Sequence, residues 1–487
     1  MNRKDFIRRM GLGAGALSLS PLLVSCLDSN SVLNEEFQLP LALPSELTGT
    51  NSTLNASPSN ITIGDSYSLS AFRFNNSVPG PTIRKKRGDT VRIRFENNIG
   101  QESIIHWHGL IVPPDMDGHP KDAFTQGSYD YEYTINQRAG TYWYHPHPHR
   151  ITGPQVYKGL AGFYFIEDEE EQALNLPSGD YEIPLVIQDR RVNGNEIVYN
   201  PSMPDRMMSG FLGDLILVNG VPTPFHEVGP GFYRLRILNG SNARIYNLAF
   251  ENDAPFTIIG TDGGLLPKPI ETNELLLAPG ERADILVDFS TGFNQEKVKL
   301  ISKPFDIPSG GMMGMRNMVG SGYEQGTGFS IMEFRITKSD ANTSFELPEQ
   351  LSTADFPSEG DATVTRPIQL DMRMGQGHTI NGRLFEMERV DVEVNQGDTE
   401  IWEFINNSNF PHPMHVHAVH FKVLERSGNR GLLPTETGRK DTVLVMPGER
   451  VKVIMKFDAQ KGMYVFHCHN LEHEDAGMMA NFQITNQ

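Results

Sequence analysis

The chain has 487 residues, of which 21% are charged and 38% hydrophobic, and it contains 46 glycines and 32 prolines. Its formal net charge of −18 at pH 7 repels nucleic acids and anionic membrane surfaces, which excludes both as nonspecific partners. At about 150 residues per domain the length corresponds to roughly three domains, and short Val, Ile, Phe and Tyr runs between Gly and Pro turns favour strands. The composition therefore predicts an all-β protein whose substrate is small and neutral or cationic.

The first 26 residues have the pattern of an export signal. Basic residues at the start are followed by a mildly apolar run, residues 10–25. Residues 2–7 resemble a twin-arginine signal with one Arg replaced by Lys, and a buried first helix is the alternative interpretation. Residues 23–26 resemble a bacterial lipobox, in which Cys26 would be acylated. We therefore expect an exported cell-envelope or periplasmic protein with a lipid anchor at Cys26.

Polar stretches divide the remaining chain into three segments of similar size. A Ser-, Asn- and Leu-rich linker is predicted over residues 27–60, and acidic joins lie at Glu167–Asp180 and Thr337–Thr365. The predicted domains are residues 61–168, 181–338 and 366–487.

A similar strand pattern recurs in each of these segments. Each copy alternates apolar and polar residues and ends at an Asn: TVRIRFEN (90–97), YRLRILN (233–239) and EIWEFIN (400–406). Gly-Asp or Pro-Gly-Glu turns recur between the strand-like runs. The recurrence predicts a repeated β-sandwich unit.

The 15 histidines are clustered along the chain. A random distribution would give about 0.5 pairs spaced His-x-His, whereas this chain has five, at 106/108, 145/147, 147/149, 415/417 and 467/469. Because residues i and i+2 of a strand point to the same face, each pair presents two imidazoles to a metal. Four pairs, two near each end, supply ligands for three copper ions between the first and third domains. We predict surface or loop roles for five other histidines, which are His119, His149, His226, His378 and His420.

Cys468 is the only cysteine that remains free for chemistry after export, so the chain has no disulfide framework. It begins the series Cys468-x4-His473-x4-Met478, with His412 upstream. Two histidines, a thiolate and a weak thioether are the ligands of a blue-copper electron-transfer site. A structural zinc site would not include methionine, and a nucleophilic cysteine would not be flanked by two ligating histidines.

The tripeptide His467-Cys468-His469 belongs to both groups of predicted ligands. In a strand, Cys468 faces away from its two neighbours, so it can bind one copper while they bind the cluster beyond. This arrangement predicts a short covalent path for electrons.

Together these motifs resemble the multicopper oxidase family. The histidine pairs carry the resemblance, together with HCHNLEHEDAGMM (467–479), PGPT (79–82), QDR (188–190) and LNGSNAR (238–244). The resemblance covers nearly the whole mature chain, and the sequence is similar to the bacterial laccase-type branch of this family. It implies three cupredoxin-like Greek-key β-sandwich domains and four copper ions: one type 1, one type 2 and two type 3.

The resemblance also implies a ligand for each copper position. For type 1 copper, the implied ligands are His412, Cys468, His473 and Met478. For type 2 copper, they are His106 and His415. For the type 3 pair, they are His108, His145 and His469 on one ion, and His147, His417 and His467 on the other.

The implied reaction couples one-electron oxidations of a reducing substrate to the reduction of dioxygen to water. The edge of His473, turned toward solvent, is the expected point of electron entry. Because oxygen reduction consumes protons, buried acids must relay them. Asp117 and Glu474 resemble the family's relay acids, and the alternative for both is an ordinary turn or loop acid.

The expected substrates are phenols and aromatic amines. The chain lacks the long Met- and His-rich insert of efflux-type cuprous oxidases, because only residues 375–384 separate Met374 from Phe385. The alternative substrate is cuprous ion, with a role in copper tolerance, because the thioethers of the Met312–Met318 loop are soft ligands. Methionine, however, more often serves packing. A structural envelope protein is the non-enzymatic alternative, and the complete ligand set argues against it. We expect a monomer that binds no nucleic acid.

Overall fold

The computed structural model describes residues 37–49, 51–64, 66–293, 295–308, 323–339, 345–353, 356–373, 375, 377–428 and 430–486. The predicted export signal with Cys26 and the Met312–Met318 loop lie outside these residues. Within them, strands predominate and form three successive β-sandwiches, which confirms the all-β prediction. No helix in this part of the chain has the length and apolar character needed to cross a membrane.

The first sandwich has one sheet in the order β1-β4-β9-β8-β6 and a second in the order β3-β2-β5-β7. Its strands are β1 (Glu46–Leu47), β2 (Asn51–Ile63), β3 (Tyr67–Phe74), β4 (Thr82–Lys86), β5 (Thr90–Asn97), β6 (Ile105–His108), β7 (Gly127–Thr134), β8 (Gly140–Pro146) and β9 (Gly162–Glu167). The predicted strand at 90–97 is confirmed, and its apolar residues Val91, Ile93 and Phe95 face the core as the alternation requires.

The structure differs from the predicted linker, 27–60, because β2 begins at residue 51. This strand pairs with β3 and β5 and buries Leu54 and Ala56 in the first core. Its polar composition concealed it, since most of its other residues face outward or are small. A strand with few apolar side chains gives little hydrophobic periodicity to read.

The second sandwich has one sheet in the order β14-β22-β21-β16-β19, and its other sheet joins that of the first sandwich through the single pair Glu196 and Ser68. Its strands are β10 (Glu182–Asn193), β11 (Glu196–Val198), β12 (Leu215–Val218), β13 (Val221–Pro222), β14 (Phe225–Val228), β15 (Phe232–Asn239), β16 (Tyr246–Phe250), β17 (Phe256–Thr261), β18 (Gly264–Thr272), β19 (Leu275–Leu277), β20 (Arg282–Asp288), β21 (Lys297–Ser302) and β22 (Phe329–Ile336). The strand predicted at 233–239 is confirmed as β15.

The third sandwich packs the sheet β24-β23-β26-β30-β28 against the sheet β25-β32-β31-β27-β29. Its strands are β23 (Ala362–Arg373), β24 (Gly377–Ile380), β25 (Val392–Asn395), β26 (Thr399–Asn406), β27 (His412–Val416), β28 (Phe421–Arg426), β29 (Thr442–Val445), β30 (Arg450–Lys456), β31 (Gly462–Cys468) and β32 (Met479–Thr485). The strand predicted at 400–406 lies in β26, whose Trp402 is buried against Phe466 of β31. Strands β27 and β31 carry His412, His415 and His467, and His417 and His469 directly follow these strands.

Four short α-helices occur in the described part of the chain. They are α1 (Thr152–Tyr157), α2 (Glu169–Ala173), α3 (Met203–Met207) and α4 (Leu471–Asp475). Helix α4 follows β31 after only two residues, and the Asn470 side chain caps it by accepting a hydrogen bond from the His473 amide. The sequence after Cys468 therefore turns back sharply, which brings His473 close to the end of β31.

Candidate metal centre

Strand pairing brings the histidine pairs together within each sandwich. In the first sandwich, β6 and β8 are antiparallel neighbours in which His106 lies opposite His145. In the third, β27 and β31 pair so that His415 lies opposite His467. The two sandwiches face each other here, because the His108 and His415 rings stack with centroids 3.8 Å apart. The site therefore lies between the first and third sandwiches, as predicted.

The eight paired histidines form one buried cluster, and each is at most 1% exposed. Three sets of three place one ring nitrogen per residue within 4.8 Å of the others. Two of these sets share no residue, and they are His108, His145 and His469, and His147, His417 and His467, while the third joins His108 to His106 and His415. The Nε2 atoms of His106 and His415 are 3.4 Å apart. These groups match the ligand sets that the resemblance implies for two type 3 ions and a type 2 ion.

The orientation of the rings fits metal binding. The Nδ1 atoms of His106 and His415 hydrogen bond to the backbone oxygens of Asp117 and Asp441, at 2.7 Å and 2.9 Å, so their Nε2 atoms face the cluster. Among the described residues, His145 Nε2 and both ring nitrogens of His469 are buried without a hydrogen-bond partner. Burial lowers the pKa of these two histidines well below its usual value, which keeps the rings neutral. Neutral, unpartnered imidazoles are the state that copper requires.

A second group surrounds Cys468. Its Sγ lies 3.4 Å from His412 Nδ1 and 3.7 Å from His473 Nδ1. Met478 is buried in the same core as Cys468, whose amide donates a hydrogen bond to the Met478 oxygen at 3.1 Å. Burial raises the pKa of the Cys468 thiol, so a thiolate here needs a metal ion as its partner. The outer nitrogens of the two rings are held by Ser408 Oγ at 2.8 Å and the Met208 oxygen at 2.9 Å. Both Nδ1 atoms therefore point to the sulfur, which fits a blue-copper site.

Comparison with known proteins agrees with this geometry. Three family models described as multicopper oxidase match residues 55–171, 164–296 and 361–487. The laccase of Bacillus subtilis is 34% identical over 475 residues, which cover 85% of this chain and 90% of that protein. The chain belongs to the multicopper oxidase family. It is therefore an oxidoreductase that binds copper and uses dioxygen and a reducing substrate.

Other relatives are similar over most of the chain. Bilirubin oxidase of Albifimbria verrucaria is 36% identical over 435 residues, covering 85% of this chain and 72% of that protein. The crystal structure of the McoA multicopper oxidase from Aquifex aeolicus superposes with a TM-score of 0.82 at 38% identity, and the match covers 93% of this chain and all of that one. This likeness confirms three cupredoxin domains.

The edge of His473 is covered in this multicopper oxidase, contrary to the expectation that it faces solvent. The residue is fully buried, and its Nε2 donates a hydrogen bond to the Met208 oxygen, directly after α3. The second sandwich therefore caps the ligand. An electron that enters by this route must cross the α3 segment.

Two histidines to which we assigned surface or loop roles, His119 and His378, are fully buried. The prediction was wrong for His378, which lies in a strand, whereas His119 does lie in a loop, where its Nδ1 accepts a hydrogen bond from the Lys121 amide. His119 Nε2 lies 3.0 Å from Asn481 Oδ1, which ties the first sandwich to the third. His378 on β24 packs its ring against His473, with centroids 3.9 Å apart, and its Nε2 donates to the Met207 oxygen at 3.2 Å. Neither residue belongs to a His-x-His pair, so spacing could not distinguish them from surface histidines.

Both predicted relay acids lie against the cluster. Asp117 is fully buried, and its Oδ2 accepts a hydrogen bond from His417 Nδ1 at 2.8 Å. Glu474 is 2% exposed, and its Oε2 lies 3.1 Å from His467 Nδ1. These contacts contradict the alternative of solvated turn or loop acids.

Three acids near the centre gave no signal in the sequence. The Glu472 carboxylate accepts hydrogen bonds from the Phe211 amide, the Tyr199 hydroxyl and Asn242, each at 2.9 Å, although burial raises its pKa to about 7. Asp475 accepts the Thr152 and Gly153 amides at the start of α1, both at 2.9 Å. The third acid, Asp441, contacts His108. The partners of Glu472 named above are more than 200 residues away along the chain, and those of Asp475, like His108 for Asp441, are more than 300 residues away.

Replacing Asp475 with Ala should destabilise the protein by about 1–2 kcal/mol, the usual cost of losing a helix N-cap. Helix α1 has no capping side chain of its own, so its first amides would lose their acceptor. We expect a lower midpoint of guanidinium unfolding. Asp475→Asn keeps one acceptor oxygen, so its free energy of unfolding should fall by about half as much as that of Asp475→Ala. Equal midpoints for Asp475→Ala and the parent protein would show that this cap adds no stability.

Proposed function

We propose that this multicopper oxidase is laccase-like: it oxidises phenols or aromatic amines at the Cys468 site and transfers the electrons to dioxygen at the histidine cluster. The tripeptide His467-Cys468-His469 is the observation that carries the proposal. Cys468 contacts His412 and His473, while its two neighbours belong to different three-histidine groups of the cluster. Because three consecutive residues serve both sites, a covalent path of a few bonds joins electron donor and acceptor.

The fit of the ring nitrogens supports four copper ions, which would supply reversible one-electron chemistry. We assign type 1 copper to His412, Cys468, His473 and Met478. We assign type 2 copper to His106 and His415. We assign the type 3 pair to His108, His145 and His469, and to His147, His417 and His467.

We assign proton delivery to Asp117 and Glu474. Both carboxylates contact the Nδ1 atoms of cluster histidines, His417 and His467, whose Nε2 atoms face each other, so each can hold a proton beside the place where dioxygen would be reduced. Asp117 Oδ1 has no hydrogen-bond partner within the described part of the chain. A buried oxygen without a partner can accept a proton from water and pass it on.

Organic donors are favoured by the surface above the covered His473. Met203 on α3 is 72% exposed and Met372 on β23 is 39% exposed, and Met372 pairs across the sheet with His378. Exposed apolar side chains at this position favour contact with an aromatic ring over a strongly hydrated ion. The names of the relatives, laccase and bilirubin oxidase, support the same substrate class.

Parallel oxygen-uptake assays test the donor. We expect uptake with a phenolic donor, and unchanged phenol turnover when Met312, Met313, Met315 and Met318 are all replaced with Leu, because these residues contribute no copper ligand. The phenol rate is the internal control for folding and copper loading. A parent protein that consumes oxygen only with Cu(I), and loses that rate in the Leu variant, would establish a cuprous oxidase instead.

We further propose that the protein acts as a monomer in the bacterial cell envelope. The N-terminal pattern of residues 1–26 supports export, and Cys26 is the proposed site of acylation. A lipid-anchored oxidase would have its copper and oxygen chemistry outside the cytoplasm, where a buried lone cysteine carries no risk of pairing with another cysteine of the chain.

A further inference from the structure

A cluster of buried charges lies beside the histidine cluster, where the three sandwiches meet. Asp441, just before β29, is fully buried, and its Oδ1 lies 3.0 Å from His108 Nε2. Arg282 at the start of β20 donates through Nη1 to the same Oδ1 at 2.8 Å and through Nη2 to Oδ2. A carboxylate of the third sandwich and an arginine of the second therefore hold a histidine of the first.

Arg282 is itself fixed by further hydrogen bonds. Its Nε donates to the Thr141 oxygen at 3.0 Å, and its Nη atoms donate to the oxygens of Gly280 and Asp262 at 2.9 Å each. The guanidinium is planar, so this set of acceptors allows only one orientation. Arg282 is thus a rigid partner that holds the Asp441 carboxylate in place against His108.

Stability alone does not account for this arrangement. Burying an ion pair removes two charges from water, and apolar residues of similar size often stabilise a protein as well or better. Next to Asp441, Lys440 is also fully buried, between Asp262 Oδ2 at 2.8 Å and Glu281 Oε1 at 3.0 Å. So many buried charges beside a metal site point to a role in placing the ligands.

Asp441 determines which nitrogen of His108 faces the cluster. Because Nε2 is engaged by the carboxylate, Nδ1 remains, and it is buried without a hydrogen-bond partner among the described residues. His415 is oriented the opposite way, since its Nδ1 hydrogen bonds to the Asp441 backbone oxygen at 2.9 Å and its Nε2 faces His106. The stacked rings of His108 and His415 are therefore both held by one residue.

We propose that Asp441, held by Arg282, is a positioning residue of the oxygen-reducing centre: it fixes His108 with Nδ1 toward one type 3 copper and His415 with Nε2 toward the type 2 copper. This inference rests on the proposed function. It assigns to the second sandwich, which supplies none of the proposed copper ligands, a part in shaping the cluster. Carboxylates that accept the second N–H of a ligating histidine fix its tautomer and raise its basicity.

The test is copper binding by an Asp441→Ala variant of the full chain, measured by competition with a chelator and by absorbance. We expect the affinity of the cluster for copper to fall about tenfold to hundredfold, the usual effect of removing such a partner. The blue absorbance of the Cys468 site, at about 600 nm, should be unchanged, because Asp441 does not contact that site. Asp441→Asn keeps an acceptor for His108 and should recover part of the affinity.

Glu436→Ala is the matched control, since Glu436 is a buried acid of the same sandwich that pairs with Arg426. We expect it to bind copper like the parent. Cluster affinity equal to the parent in Asp441→Ala would overturn the inference, as would an equal loss in Glu436→Ala. If Asp441→Ala does not fold, the copper affinity of the cluster is measured instead in Asp441→Asn and Arg282→Lys, and an affinity equal to the parent in both would overturn the inference. A parent protein that binds fewer than about four coppers would refute the proposed function itself.

Discussion

Replacing Cys468 with Ser should abolish substrate oxidation while copper remains in the histidine cluster. A serine oxygen is a hard ligand and cannot replace the soft thiolate that lies between His412 and His473. The variant should bind three coppers instead of four, lose the absorbance at about 600 nm, and consume no oxygen with a phenolic donor. The loss of turnover should be complete, because the one covalent path between the two sites begins at this sulfur.

Copper analysis, absorbance and oxygen uptake on the same sample check this prediction. Met479→Leu is the matched control, since Met479 is a buried neighbour that packs against Phe385 and Val465. It should keep the colour, four coppers and turnover. If Cys468→Ser still oxidises phenols at the parent rate, electrons reach the cluster by another route and the type 1 assignment is wrong.

Replacing Glu474 with Gln should slow turnover about 10²- to 10⁴-fold, the range in which a positioned acid or base contributes. The amide keeps an oxygen that can accept a hydrogen bond from His467 but cannot carry a proton. Donor oxidation at the Cys468 site needs no proton from Glu474, so anaerobic bleaching of the blue colour should proceed at the parent rate. The defect should appear only when oxygen is reduced.

Stopped-flow absorbance separates these two half-reactions, and Asp117→Asn should show the same pattern because Asp117 contacts His417, which belongs to the same three-histidine group as His467. Glu400→Gln is the control, since Glu400 is a buried acid that pairs with Arg366 on β23. Reoxidation of Glu474→Gln by oxygen at the parent rate would remove Glu474 from the proton path. Slower bleaching without oxygen would instead indicate that the substitution disturbs His473.

Much of the fold was predictable because local patterns carry it. The alternation in TVRIRFEN places Val91, Ile93 and Phe95 in the core, and that alternation depends only on neighbouring residues. Strand β2 was missed because its outward-facing residues are polar and its inward-facing ones are few. Pairing with β3 and β5 supplies its stability, and no local pattern records such partners.

The copper site divides in the same way. The spacing His-x-His and the series from Cys468 to Met478 are short, so the sequence alone identified the proposed ligands, and the family resemblance implied how they group. Only the tertiary structure decided what surrounds them: His378 against His473, the Met208 oxygen over the edge of that ring, and Asp441 beside His108. These partners lie in other strands or other sandwiches. A contact between residues far apart in the sequence depends on how whole sheets pack, and no periodicity within one segment encodes it.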